Sequence, residues 1–167
     1  LDYLSKFLPS RNKPEAAEYY FGLDIRNSSV TGSVWGIEGS KVRIISIVHK
    51  KFHQPENFPE SSHSLIEAAN LALDEALADF QPEPEKILFG VPDSWLTDEE
   101  LKPKFGKVLK QLVKELDVVP LAYVSATHAV CHLLQRQEGG PATAILVEIA
   151  EPLSVSVVKA GKVLGTK

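Results

Sequence analysis

A chain of 167 residues, 44% hydrophobic and 24% charged, has the make-up of an ordinary soluble globular protein of one domain, or one domain plus part of another. Its net charge of −4 leaves no basic excess to hold a polyanion, so nucleic acid is not expected as a partner. Cys131 is the only cysteine, which rules out an internal disulfide and suits a reducing cytoplasm, and no apolar run approaches the roughly 20 residues of a membrane span.

The sequence contains no methionine, not even at position 1, and closes on AGKVLGTK, which reads as the middle of a hairpin. It is therefore expected to be a piece of something longer. Residues 1–18 read as a tail and linker. Leu1, Tyr3, Leu4, Phe7 and Leu8 fall at helical spacing and make one short apolar face. That face suits contact of residues 1–8 with a membrane surface or a partner, or a tail that packs on the body.

Three strands are expected next, in an antiparallel meander: Tyr19–Ile25, Val30–Ile37 and Lys41–Phe52, the last alternating Val42, Ile44 and Ile47 with polar residues. The loop HQPENFPES follows. Ser62 or Ser64 then caps a helix over 64–80, Glu67 completing a capping box, with Leu65, Ala69, Leu71, Ala72, Ala76 and Leu77 on its apolar face. KILFGV, Lys86–Val91, is a strand suited to burial on both faces and to parallel pairing with the first. VPDSW leads into a helix near 98–116, where Thr97 and Glu100 stand at capping-box spacing and Pro103 is tolerable only in the first turn. A strand at Pro120–Val124, a helix over 126–137, and strands at Thr143–Ile149, Leu153–Lys159 and from Val163 complete the chain.

The order βββαβαβα followed by βββ predicts an α/β fold: a ribonuclease-H-like domain over 19–141, with a mixed five-stranded sheet and helices on both faces. The strands of 142–167 restart the same pattern as the beginning of a second such domain. Two stacked copies make the actin-like ATPase architecture. A weak internal repeat agrees, Tyr20–Trp35 against Ala144–Val158, each an apolar strand, an acid, a short turn and an apolar strand.

The chemistry-bearing candidate is the first hairpin, FGLDIRNSSVTGSVW. In a nucleotide-binding hairpin the acid ending the strand holds a metal ion through water, and the amides and hydroxyls of the turn surround the phosphates. Asp24, Asn27, Ser28 and Ser29 suit these tasks, with Asp24 as the metal-side group. Arg26 stands where glycine would let phosphate reach bare backbone, although its guanidinium can itself pair with phosphate. The plainer alternative is that Asp24 satisfies turn amides.

GLDIRNSSV resembles the first phosphate motif of the actin-like ATPase superfamily. It is most similar to the FtsA- and PilM-type proteins of bacterial cell division and type IV pilus assembly, whose motif reads roughly GLDIG-S/T-S-x-V. The resemblance runs over Tyr19–Lys167, the N-terminal half of such a protein. ILFGVPDSW and VSATHAVCHLL sit where those families carry a strand with a proline-containing turn and a connecting helix. AILVEIAEPLSVSVV sits where they carry a second phosphate hairpin. The resemblance implies ATP and magnesium as cofactors, and protein partners at the inner face of the membrane.

Departures from the pattern point to loss of nucleotide chemistry. Glu148 replaces the second motif's aspartate, Ala150, Glu151 and Pro152 its glycines, and Leu153 and Ser154 its threonines. Glu151 would set negative charge against phosphate, and Pro152 removes an amide donor. His128 lies near the position where the connecting helix of those families carries an acid that helps activate water, and their inserted partner-binding subdomain is missing from Val91 to Pro120, reduced, or placed beyond this sequence.

The expectation is a cytoplasmic, non-catalytic or weakly nucleotide-binding scaffold, peripheral at the inner membrane. The alternatives are an active actin-like ATPase or kinase, and a ribonuclease-H-type metal-dependent nuclease using Asp24, Asp93 and Glu148. His49 and His53, four apart on a strand and its exit, make no metal face.

Overall fold

The computed structural model describes residues 17–39, 41–78, 80–81, 83–97, 100–136, 143–148, 153–160 and 162–166. Residues 1–16, together with Asp98, Glu99 and 149–152, lie outside the described residues, and so do the expectations placed on them.

A meander of β1 (Glu18–Ile25), β2 (Ser29–Glu38) and β3 (Lys41–Lys51) is followed by α1 (His63–Leu77) and β4 (Lys86–Val91). A single 3-10 turn (Asp93–Trp95) and two short strands, β5 (Leu96–Thr97) and β6 (Glu100–Leu101), precede α2 (Pro103–Glu115). Then come β7 (Val119–Ser125), α3 (Ala126–Arg136), β8 (Thr143–Glu148), β9 (Ser154–Lys159) and β10 (Lys162–Thr166). The main sheet has the order β3-β2-β1-β4-β7, antiparallel through β3, β2 and β1 and parallel through β1, β4 and β7. Strands β8, β9 and β10 make a separate antiparallel sheet of three. This is the mixed α/β architecture expected from the element order.

The period of two along the strands decides what each face does. Phe21, Leu23 and Ile25 of β1, Val30 and Val34 of β2, and Ile87, Phe89 and Val91 of β4 are buried in one cluster with the apolar stripes of α1 and α2. The α1 stripe is built from small residues, Ala68, Ala69, Ala72 and Ala76, flanked by Leu65 and Leu73. Small side chains let the helix axis come close to the sheet, and at Gly32 the approach is so tight that a Cβ there would lie 2.7 Å from the Ala72 carbonyl oxygen. Phe105, Val108, Leu109 and Leu112 of α2 complete this side. Trp95 is buried between the layers, stacked on Phe105 with ring centroids 4.6 Å apart and tilted against Phe58 at 5.9 Å.

The opposite face carries Tyr20, Gly22, Asp24, Thr31, Ser33 and Trp35, all half-buried. Helix α3 packs against β7 and β10, outside the α1/α2 cluster.

Several local expectations are corrected. Neither serine proposed as the α1 cap closes a capping bond: Ser62 sits at the N-cap but donates to Gln111 Oε1 at 3.0 Å, and Ser64 donates to the His53 carbonyl at 2.8 Å. Both hydroxyls hold distant segments instead. Leu71 points to solvent, and Leu73 takes the inward position. The second helix begins at Pro103 rather than near 98, with the proline at its first position, where the missing N–H costs nothing. Thr97 therefore belongs to β5, paired with Glu100 of β6, and caps no helix. In β3 a register shift opposite Val34 and Trp35 leaves Val42, Ile44 and Ile47 exposed while Ile45 and Val48 pack on the core.

Candidate functional site

The parallel strands β1, β4 and β7 end at the same edge of the sheet, and their C-terminal ends gather the polar groups of the half-buried face. In open α/β sheets this is where ligands bind.

Asp24 stands one residue before the end of β1, paired with Thr31 on one side and Gly90 on the other. Gly90 has a physical reason to be glycine: a Cβ there would lie 2.5 Å from Asp24 Oδ1 and 3.1 Å from Asp24 Cα. The carboxylate thus lies flat over the β4 backbone. Across β2, Thr31 Oγ1 lies 3.2 Å from His49 Nδ1 on β3. Gly90, Asp24, Thr31 and His49 form one lateral row over four strands.

The turn after Asp24 closes through its own backbone. The Arg26 amide donates to the Ser29 carbonyl at 2.8 Å, and the Phe52 amide donates to the Ser28 carbonyl at 3.0 Å. The Arg26 side chain turns back along the strand and donates from Nε to Asp24 Oδ2 at 2.8 Å. Residues two apart on a strand share a face, so the pair follows directly from the spacing of D-x-R. Asn27, Ser28 and Ser29 form the rest of the turn between β1 and β2, with Ser28 exposed and the other two half-buried.

A second cluster forms where β4 and β7 end. Asp93 opens the 3-10 turn after β4; its Oδ2 accepts a hydrogen bond from Thr127 Oγ1 of α3, and its Oδ1 is buried without a hydrogen-bond partner. Ser125, buried at the end of β7, caps α3: its Oγ accepts from the His128 amide at 3.1 Å and lies 2.7 Å from His128 Nδ1. Cys131, one turn further, is buried; burial pushes its thiol pKa up, and the charge of Asp93 adds to the shift. The imidazole expected near a water-activating position is thus placed on the serine that caps its own helix.

A magnesium-bound triphosphate, the group that the sequence resemblance implies, fits the hairpin poorly. Asp24 would have to exchange Arg26 for a hydrated metal, and the Arg26 side chain stands where phosphate would need bare backbone. Among the described residues no group of three or more histidine, cysteine or acidic side chains is arranged to hold a metal ion. The carboxylate set considered for a nuclease is divided between different partners: Asp24 with Arg26, Asp93 with Thr127. The sequence singles out Asp24 and the turn as candidates. It does not single out Ser125 and Thr127, whose only signal is S-x-T-H at the start of a helix and whose link to Asp93 spans 34 residues.

Comparison with protein-family profiles and with curated proteins finds no match. Solved structures do match. The ethanolamine utilization protein EutJ of Carboxydothermus hydrogenoformans aligns with TM-score 0.62 and 14% identity over 92% of this chain and 52% of its own. The ROK hexokinase of Thermus thermophilus aligns with TM-score 0.54 and 19% identity over 87% of this chain and 47% of its own. An exopolyphosphatase of Cytophaga hutchinsonii aligns with TM-score 0.54 and 7% identity over 90% of this chain and 49% of its own. The chain has the actin-like ATPase fold. It spans about half the length of the structures it matches.

Proposed function

We propose that this chain belongs to an actin-like scaffold of FtsA or PilM type that works through protein partners in cell division or pilus assembly, with nucleotide binding weakened or lost. The observation that carries the reading is the ion pair between Asp24 and Arg26, 2.8 Å, inside the hairpin that would hold metal and phosphate. A guanidinium already held on the carboxylate competes with a divalent cation for it. The substitutions Glu148, Ala150, Glu151 and Pro152 in the second hairpin point the same way. Asp24, Asn27, Ser28 and Ser29 are the residues that would meet any phosphate or metal, with Arg26 as an added contact. Among the described residues no helix is long and apolar enough to cross a membrane.

The test is calorimetric titration of ATP-Mg into the full-length protein, with thermal unfolding in parallel. The reading expects no saturable heat and no ligand-dependent rise in Tm. Arg26→Gly, which frees Asp24 and restores a glycine to the turn, should recover measurable binding. A wild-type stabilisation of about 2.7 kcal/mol, the value for ligand at a hundredfold excess over Kd, would instead establish an active nucleotide-binding relative.

A further inference from the structure

The two edges of the main sheet are built differently. Edge strand β3, KVRIISIVHKK, carries Lys41, Arg43, Lys50 and Lys51, the charge with which native sheets prevent pairing to other chains. Edge strand β7, VPLAYVS, carries no charge, and Pro120 near its start is its one protective feature. It is also open: Val119 is 54% exposed, Leu121 49% and Tyr123 41%.

Beside this edge runs an apolar groove of about 440 Å³ between β7 and α2. Phe89, Leu101, Leu109, Val113, Leu121 and Tyr123 supply its apolar walls. Gly106 widens it, since the space beyond its Cα is open to 3.8 Å. Lys110 stands at the outer lip, and Lys107 and Lys114, three before and four after it, continue the same ridge of α2. All three are exposed, and none is ion-paired among the described residues. The ridge is roughly 10 Å long by helix rise, close to the span of three strand residues.

We infer that the β7–α2 groove is a docking site for an extended acidic peptide segment of a partner protein, which adds as a sixth strand beside β7. Backbone pairing along residues 121–124 supplies the ladder, alternate apolar side chains enter the groove, and flanking carboxylates meet Lys107, Lys110 and Lys114. Charge also argues against a second copy of this chain as the occupant. Pairing β7 with β3 of another copy would set Lys41, Arg43, Lys50 and Lys51 beside the lysine ridge, and pairing β7 with β7 would bring two such ridges together. The site is separate from the Asp24 hairpin and does not depend on whether nucleotide binds there.

Fluorescence anisotropy with the full chain tests this, using a labelled eight-residue peptide that alternates Glu with Val and Leu, and a control with Lys for Glu. The acidic peptide should bind saturably, weaken with salt, and protect amides of Val119–Ser125 from hydrogen exchange. Leu121→Asp should lower its affinity roughly tenfold or more, and being at a half-exposed position should leave the circular dichroism spectrum unchanged. Reversing the ridge (Lys107→Glu, Lys110→Glu, Lys114→Glu) should abolish binding of the acidic peptide and admit the basic one. The inference is overturned by no saturable binding, by equal binding of the basic peptide to the wild type, or by affinity indifferent to both sets of variants. It is overturned equally if sedimentation finds a dimer through β7 that excess acidic peptide does not dissociate.

Discussion

Replacing Gly32 by alanine should pry α1 off the sheet. The added Cβ would stand 2.7 Å from the Ala72 carbonyl oxygen, 2.8 Å from its carbon and 3.1 Å from its Cβ, where ordinary contact begins at 3.4 Å. The shortfall is about 0.7 Å, and it falls on helix backbone, which cannot rotate aside as a side chain can. Either α1 lifts along its length, loosening Leu65, Ala69 and Leu73, or β2 bends away from it. Overpacking of this kind costs about 1–3 kcal/mol. For a chain of this size that corresponds to a fall in Tm of roughly 2–4 °C per kcal/mol. Urea unfolding followed by circular dichroism is the assay, with the m-value checked so that a change in midpoint reports stability alone. A midpoint equal to or above the wild type would show that the helix and sheet are not held as close as the geometry at Gly32 requires.

The opposite sign is expected at Gly106, inside α2, where an added Cβ meets only Leu101 Cδ2 at 3.8 Å. Gly106→Ala should stabilise by about 0.5–1 kcal/mol through the smaller entropy of the unfolded chain, read as a higher urea midpoint. Trp95→Ala removes the ring stacked on Phe105 and tilted against Phe58 and should cost about 3–5 kcal/mol, with a weaker near-ultraviolet aromatic signal below the unfolding temperature, Trp35 on Tyr20 keeping its share. Cys131, with its pKa raised, should resist a disulfide reagent at pH 8 in the folded protein and react at once in urea. The same shift sets a direction for stability. The folded thiol holds its proton above about pH 8.5, where the unfolded chain begins to release it, so stability should decline as pH rises from there. A Cys131→Ala variant should lose that part of the alkaline decline.

The strands were legible because apolar runs bounded by turn residues leave few alternatives. KILFGV fell on β4 with its bounds intact, and the parallel pairing with β1 followed from the helix between them. What failed were local rules overridden by tertiary contacts. Ser62 and Ser64 have the spacing of caps, yet each hydroxyl is taken by a residue far along the chain. The stretch before Pro103 carries a capping-box pattern, yet Leu96–Thr97 and Glu100–Leu101 pair as β5 and β6, and the Lys102 amide bonds to the Trp95 carbonyl at 2.9 Å. At the candidate site, Asp24 was legible from its place at the end of an apolar strand. The sequence offers Arg26 as a contact for phosphate, and in the structure its Nε meets the carboxylate two residues before it, a pairing not read from the sequence. The Asp93, Thr127 and Ser125 cluster was not legible, because only the parallel order of β4 and β7 brings those residues to one edge.

In β1 and β2, alternate residues answer to different demands. Phe21, Leu23, Ile25, Val30 and Val34 are fixed by their packing on two helices, whereas Asp24, Thr31 and Ser33 between them touch none of that packing. Drift at the second set can therefore erase an ancestral activity at little cost to foldedness. In a fold divided in this way the platform and the chemistry it carries can change independently, and the rims of the sheet belong to neither.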